Sequence, residues 1–274
     1  MVMILPFLNW LPVLCYLLSG GCYTGFLITR KPRLGRVATG ILMAGLVVHF
    51  IALLQRASLI QSVPYKDLYG SMSLFAWELG LIYLVLEARH KQRSMSIFLL
   101  PIMIVLQMIS IFFQTMPESS RWTKGSLFAF HVNVTMLAYS AFAISFIAST
   151  MYLIQHRALR NRRPGRWMSL LPPLNSLERV NVTSVVIGIG ALFIGILTGA
   201  MWARQAWREE PQQWDAKITW SFLVLLIYSL YLFLQKRRGW RGQRSAWVAV
   251  GGFLIVLFSY TMVNLFFSRL HAFF

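Results

Sequence analysis

Charge is scarce in this sequence. Only 12% of its 274 residues are Asp, Glu, Lys or Arg, about half the load of a soluble domain, so water is not the main solvent of the folded chain. Acidic residues are scarcer still, at eight against 26 Lys and Arg, which leaves a formal net charge of +18. A nucleic-acid-binding protein can be this basic. It does not carry repeated apolar runs of about 20 residues, the length that crosses roughly 30 Å of hydrocarbon, so nucleic acid is not an expected partner. Cysteine is nearly absent. Cys15 and Cys22 lie seven residues apart in one apolar segment, on one helical face but too far apart to bridge, which excludes a disulfide scaffold. A Cys-x-x-Cys-His motif is missing, so the chain attaches no porphyrin covalently to itself. A GxxxxGK[ST] loop is missing too, so it carries no P-loop nucleotide hydrolase.

What is present is hydrophobicity, at 57% of the residues. Eight apolar segments stand out: Asn9–Thr29, Arg36–Arg56, Leu68–Glu87, Met95–Phe113, Ser126–Gln155, Val182–Ala203, Ile218–Leu234 and Ala246–Ser268. Each is too long and too uniformly apolar for a sheet core, and helices are the open-chain solution in lipid. The first has no basic stretch before it and no A-x-A site after it, so it reads as a span and not as a cleaved signal. The sequence predicts an all-α polytopic membrane bundle of about eight transmembrane helices, forming a single membrane domain over residues 1–274.

Lys and Arg in the connections orient the bundle. Connections 29–35, 88–94, 156–181 and 235–245, with their flanks, hold 18 of the 26 basic residues. The alternate connections and the C-terminal tail hold the other eight, diluted by Asp67, Glu118, Glu209, Glu210 and Asp215. The basic connections are therefore expected on the cytoplasmic side of a bacterial inner membrane, with both termini outside. Gly195 and Gly199 form a GxxxG with Gly188 near the same face, a pattern for close helix packing.

Two histidines reach the same level. His131 lies 25 residues from His156 at the basic end of the fifth span, and His271 lies 25 residues from Ala246 in the eighth. At 1.5 Å per residue each climbs about 37 Å, beyond the hydrocarbon. Two neutral imidazoles at one height can be axial ligands to one metal, or ordinary interfacial histidines. Between them the outer connection 202–220 carries Trp202, Trp207, Trp214 and Trp220, four of the ten tryptophans of the chain within 19 residues. An interfacial aromatic belt is one reading, but a belt spreads over many helix ends. Flat indoles concentrated on one loop suit a flat apolar ring. Arg204, Arg208 and Lys217 beside them, with Arg121 and Lys124 on another outer loop, could pair with carboxylates on its edge. Non-covalent haem b, an iron porphyrin with two propionates, fits all three features.

The same residues carry a resemblance. The stretch Gly199-Ala200-Met201-Trp202-Ala203, then Trp207, Trp214-Asp215-Ala216-Lys217 and Trp220, resembles the tryptophan-rich WWD segment of the cytochrome c assembly family, the CcsA/ResC group and its HemX-type relatives. Gly239-Trp240-Arg241-Gly242, Gly251-Gly252-Phe253 and Leu270-His271 resemble its downstream landmarks, and Pro64 to Trp77 resembles an upstream segment. The resemblance covers roughly residues 64–271 and is most specific over 199–271. It implies a membrane protein that holds haem on the outer face with His131 and His271 as axial ligands. Trp202, Trp207, Trp214 and Trp220 would be the platform, and Asp215 would support the loop. It implies delivery to an apocytochrome c, often with a CcsB/ResB-like partner subunit as part of a haem-ligating complex. It also implies intramembrane histidines that receive haem, of which His49 is one candidate.

The sequence departs from the family pattern at several points. Arg208 stands where Gly is usual, and Asp215-Ala216-Lys217-Ile218 replaces DPKE. Tyr231-Leu232-Phe233 replaces a YLH, which removes the other intramembrane histidine. A haem-pathway regulator of the HemX kind therefore stays open beside the assembly factor, and a small-solute secondary transporter is a third class. Inside the spans, Glu78 either orients His49 through a hydrogen bond, or is protonated, or bonds backbone or Gln107. Asn133 and Asn264 are expected to serve helix packing.

Overall fold

The computed structural model describes residues 4–60, 63–64, 67–113, 125–162, 170–206, 216–237 and 239–258. Among the described residues it is all-helical, with eight helices in chain order. They are α1 (Ile4–Thr29), α2 (Pro32–Ile60), α3 (Leu68–His90), α4 (Ser96–Phe112), α5 (Ser126–Arg160), α6 (Leu174–Ala206), α7 (Ala216–Gln235) and α8 (Gln243–Phe258). Each coincides with one of the eight apolar segments. Six are long and apolar enough to cross a membrane, and α4 and α8 are shorter apolar helices of 17 and 16 residues. The chain is an integral membrane protein built of helices, as apolar runs must be when no water is at hand to bond their backbone.

The basic connections break the helices in a consistent way. Arg30, Lys91 and Arg162 adopt φ of 58°, 53° and 52°, and Gly239 and Gly242 adopt 87° and 77°. Each of the four basic connections thus contains left-handed backbone, a conformation that ends a right-handed helix. Lys91 shows how: its N–H closes on the Glu87 carbonyl at 2.7 Å and terminates α3.

The chain gathers into two compact units. Unit 1 comprises residues 1–119 and 163–176 and is built on α1 to α4. α1 and α2 approach closely because Gly45 has no side chain: a Cβ there would fall 2.7 Å from Cys15 Cβ and 3.3 Å from the Tyr16 ring. A buried ionic cluster ties its basic end together. The Glu87 carboxylate accepts from Tyr23 OH at 2.5 Å, Thr39 Oγ1 at 2.6 Å and Arg93 Nε at 2.9 Å, and the Arg93 guanidinium lies over Phe26. With three donors the carboxylate is satisfied, which a buried charge requires. At the opposite end Arg56 on α2 pairs with Asp67, just before α3, at 2.7 Å, both nearly fully buried.

Unit 2 comprises residues 120–162 and 177–274 and is built on α5, most of α6, α7 and α8. Its centre is an aromatic stack. The rings of Phe142 on α5 and Tyr228 on α7 lie 3.8 Å apart and within 5° of parallel. Glycines on two other helices make room for it: Gly188 on α6 faces Phe142, and a Cβ at Gly252 on α8 would stand 3.1 Å from Tyr228 Cζ. A methyl group at position 188 would overlap the Phe142 ring. Gly188→Ala should therefore push the rings apart and lower stability by about 1–3 kcal/mol, the usual cost of overpacking. Thermal unfolding in detergent checks this, and an unchanged midpoint would contradict it.

Candidate functional site

The described part of the site is built by two antiparallel helices of unit 2. His131 stands five residues from the start of α5, and Gly195, Gly199 and Trp202 follow one another along the last turns of α6. Residues four and three apart share a helix face, so the two glycines and the indole present one surface. His131 lies in that surface. Its Nδ1 is 2.8 Å from the Gly195 carbonyl oxygen, and a Cβ on Gly199 would come within 2.6 Å of its Cε1. Its ring is within 9° of parallel to the Trp202 indole, centroids 6.3 Å apart. Beneath it, Gly195 abuts Thr135, where a Cβ would meet the hydroxyl at 2.6 Å. Thr135 Oγ1 donates back to the His131 carbonyl at 2.8 Å. The GxxxG that reads as a packing device is the seat of the histidine.

The hydrogen bond fixes the chemistry of the ring. A carbonyl oxygen only accepts, so Nδ1 carries the proton, and in the neutral imidazole the lone pair belongs to Nε2. A backbone carbonyl on one ring nitrogen is the partner that orients metal-ligating histidines and selects the nitrogen that binds. This tautomer puts the lone pair on Nε2, the nitrogen that would bind a metal.

Trp202 is buried, held between His131 and Phe128, whose ring centroid lies 5.0 Å away. Trp220, in the first turns of α7, packs on Phe258 of α8 at 5.2 Å. Trp202 and Trp220 thus lie at the helix ends that flank connection 207–215. His271, Trp207, Trp214 and Asp215, expected in the same site, lie outside the described residues, as does Asn264. Asn133 donates to the Ala129 carbonyl of its own helix at 2.8 Å.

His49 is placed differently. It is fully buried within unit 1, and both ring nitrogens are bonded: Nδ1 to Tyr16 OH and Nε2 to Ser73 Oγ, each at 2.9 Å. Ser73 in turn donates to Gln107 Oε1 at 2.8 Å. The Gln107 amide is oriented by its other end, where Nε2 faces the Asn9 carbonyl at 3.5 Å. Serine has one proton and gives it to Gln107, so toward His49 it accepts. Nε2 therefore carries the imidazole proton, and Nδ1 accepts from Tyr16. The chain of bonds runs Tyr16, His49, Ser73, Gln107 and joins α1, α2, α3 and α4. The expected bond between His49 and Glu78 is not formed. Glu78 is buried on α3, but Ser73, five residues before it, takes the imidazole, and Gln107 serves that serine.

The partners of His49 left a weak signal in the sequence. Tyr16 lies 13 residues before the end of α1 and His49 17 residues after the start of α2. Side chains lean toward the N-terminus of their own helix. In antiparallel neighbours that brings these two rings to one level. Gly45, one turn before His49, is what lets them touch.

An all-helical membrane protein that seats an imidazole by a backbone carbonyl at one end of a helix pair is the class these features define. A family model described as Cytochrome C assembly protein matches residues 65–271, and the chain belongs to that family. It is 27% identical over 249 residues to a Cytochrome c biogenesis protein CcsA of Prochlorococcus marinus strain MIT 9312, covering 81% of this chain and 80% of the relative. It is 27% identical to the CcsA of Microcystis aeruginosa, covering 90% and 89% of the two chains. To that of Chlamydomonas reinhardtii it is 27% identical, covering 77% and 60%.

The opposite hydrogen-bonding of the two histidines is measurable without any cofactor. Nitrogen NMR of protein labelled at histidine should show His131 protonated at Nδ1 and His49 at Nε2, each assigned by its His→Gln variant. The same tautomer at both positions would contradict these assignments.

Proposed function

We propose that this chain is a haem-binding membrane protein of c-type cytochrome biogenesis. It would hold haem b non-covalently at the end of unit 2 and make it available to an apocytochrome c. The observation that carries the reading is the bond from His131 Nδ1–H to the Gly195 carbonyl, which puts the lone pair of the neutral imidazole on Nε2. Family membership and the CcsA names of the relatives support it. When bound, haem would supply an iron centre and vinyl groups open to thiol addition.

In this reading His131 and His271 would hold the iron. Trp202 and Trp220, with Trp207 and Trp214, would keep water from the ring. Asp215 would support the loop, and Arg204, exposed two residues beyond Trp202, would meet a propionate. The site lies on the outer face of a bacterial inner membrane, with the basic connections in the cytoplasm, both termini outside and a CcsB/ResB-like subunit as partner. The hydrogen bonds on both nitrogens of His49 support a role for it in joining the helices of unit 1.

One observation favours a second reading. Phe233 occupies the place of the family's intramembrane histidine. It is exposed on the protein surface, with the Arg237 guanidinium 5.1 Å from its ring centre. A chain without intramembrane ligands suits a HemX-like regulator that binds haem at the outer site and does not pass it through the bilayer.

The absorption spectrum of the purified protein tests haem binding. A Soret band is expected, reduced to a small fraction by His131→Gly and partly restored by imidazole in the medium. Full retention of the band in a variant lacking both His131 and His271 would overturn the ligand assignment. Staining a deletion strain for covalent haem then separates the readings. Loss of c-type cytochromes marks the assembly factor, and their retention marks the regulator.

A further inference from the structure

The hairpin of α7 and α8 lacks negative charge. After Asp215 the sequence has seven Lys and Arg and no Asp or Glu. Two of these cations, Arg237 and Arg241, gather at the end of α7. Gly239 and Gly242 adopt φ of 87° and 77°, which a residue without Cβ takes at little cost, and the backbone they turn brings Arg241 back to α7. Its Nε donates to the Gln235 carbonyl at 3.2 Å, two residues from Arg237. Both arginines are exposed. Among the described residues neither guanidinium pairs with a carboxylate. Glu178 on α6, the acid bonded to this end of α7, takes Gln235 Nε2 instead, at 2.7 Å.

Arg237 also stands at the head of an apolar stripe. Leu226, Leu230 and Phe233 are exposed, and residues spaced four and three apart share one face of a helix. The stripe runs about 10 Å along α7 at 1.5 Å per residue. α7 is one of the helices long and apolar enough to cross a membrane, so this face meets lipid chains. The Arg237 guanidinium folds back onto the last ring of the stripe, 5.1 Å from the centre of Phe233, held by the attraction of a cation for a ring face. The charge thereby sits at the edge of the hydrocarbon. Trp240, with the Arg244 guanidinium 6.0 Å from its ring centre, and exposed Trp247 on α8 belong to the same boundary, where tryptophan collects.

These features specify an occupant. The planar fork of arginine matches phosphate oxygens, and two guanidinia without a carboxylate attract an anion most strongly where the dielectric is low. A free phosphate makes no use of the apolar stripe below them. An acidic protein reaches the cations but does not extend along the stripe into hydrocarbon. A phospholipid of net negative charge has both parts. We propose that the end of α7 holds an anionic phospholipid from the leaflet on the side of the basic connections. Its phosphodiester meets Arg237 and Arg241, and an acyl chain lies along Phe233, Leu230 and Leu226. This site lies wholly in unit 2 and does not depend on the reading of His131.

Native mass spectrometry of the full chain released from detergent tests this, with dioleoyl phosphatidylglycerol as the anionic probe and dioleoyl phosphatidylcholine as the neutral one. The unsubstituted protein should bind phosphatidylglycerol more tightly. Arg237→Gln with Arg241→Gln should weaken that binding on the order of tenfold, as the loss of two cations at a membrane surface implies, and leave phosphatidylcholine binding unchanged. Arg33→Gln with Arg36→Gln removes the same charge from exposed positions on α2 and should have little effect. Phe233→Ser keeps both cations and should also weaken phosphatidylglycerol binding, because it breaks the stripe. Glycerol phosphate, a headgroup without chains, should not displace the lipid at equal concentration. An equal loss in the two arginine pairs would reveal a general effect of charge and overturn the proposal. So would no loss in Arg237→Gln with Arg241→Gln, equal affinity for the two lipids, or displacement by glycerol phosphate.

Discussion

The hydrogen bond between His131 and the Gly195 carbonyl is the contact on which the rest of the site depends. It joins α5 to α6 near their ends, selects the tautomer of the imidazole and sets the nitrogen that can meet a metal. It requires a carbonyl within reach of a side chain from the facing helix. Gly195 and Gly199 supply that reach, because any side chain at either position would occupy the volume of Thr135 or His131. Trp202 then lies one turn further on, parallel to the ring it accompanies.

The two units solve the same packing problem with different results. In each, a glycine on one helix admits a large side chain from its antiparallel neighbour, Gly45 for Tyr16 and Gly199 for His131. In unit 1 the approach completes a chain of hydrogen bonds in which His49 is both donor and acceptor, so the imidazole is consumed in holding four helices together. In unit 2 the neighbour offers a carbonyl to one nitrogen of His131. The chemistry available to a histidine here is decided by what its partner can donate or accept, more than by its depth in the bundle.

Much of this was legible in the sequence. All eight helices follow from the apolar segments, because lipid leaves a long apolar run no alternative. The basic connections that divide them are where the backbone turns left-handed. Height and tryptophan density single out His131 and Trp202, whose rings lie parallel in the structure. The glycine pair was legible as close packing, but its purpose was not, since spacing shows that a face is small and not what fills it. The pairing of Glu78 with His49 failed because similar depth on neighbouring helices does not give the rotation of each helix about its own axis. That rotation brings Ser73 to the imidazole and makes Gln107 its support.

One variant isolates the seat of His131. Gly199→Leu leaves every histidine, tryptophan and arginine in the chain but drives a side chain into the space of the imidazole. Haem titrated into the purified variant, followed by the Soret band, should bind at least tenfold more weakly than to the unsubstituted protein, with folding and monodispersity retained. Undiminished haem binding by a folded Gly199→Leu protein would contradict the claim that this glycine-seated imidazole holds the iron.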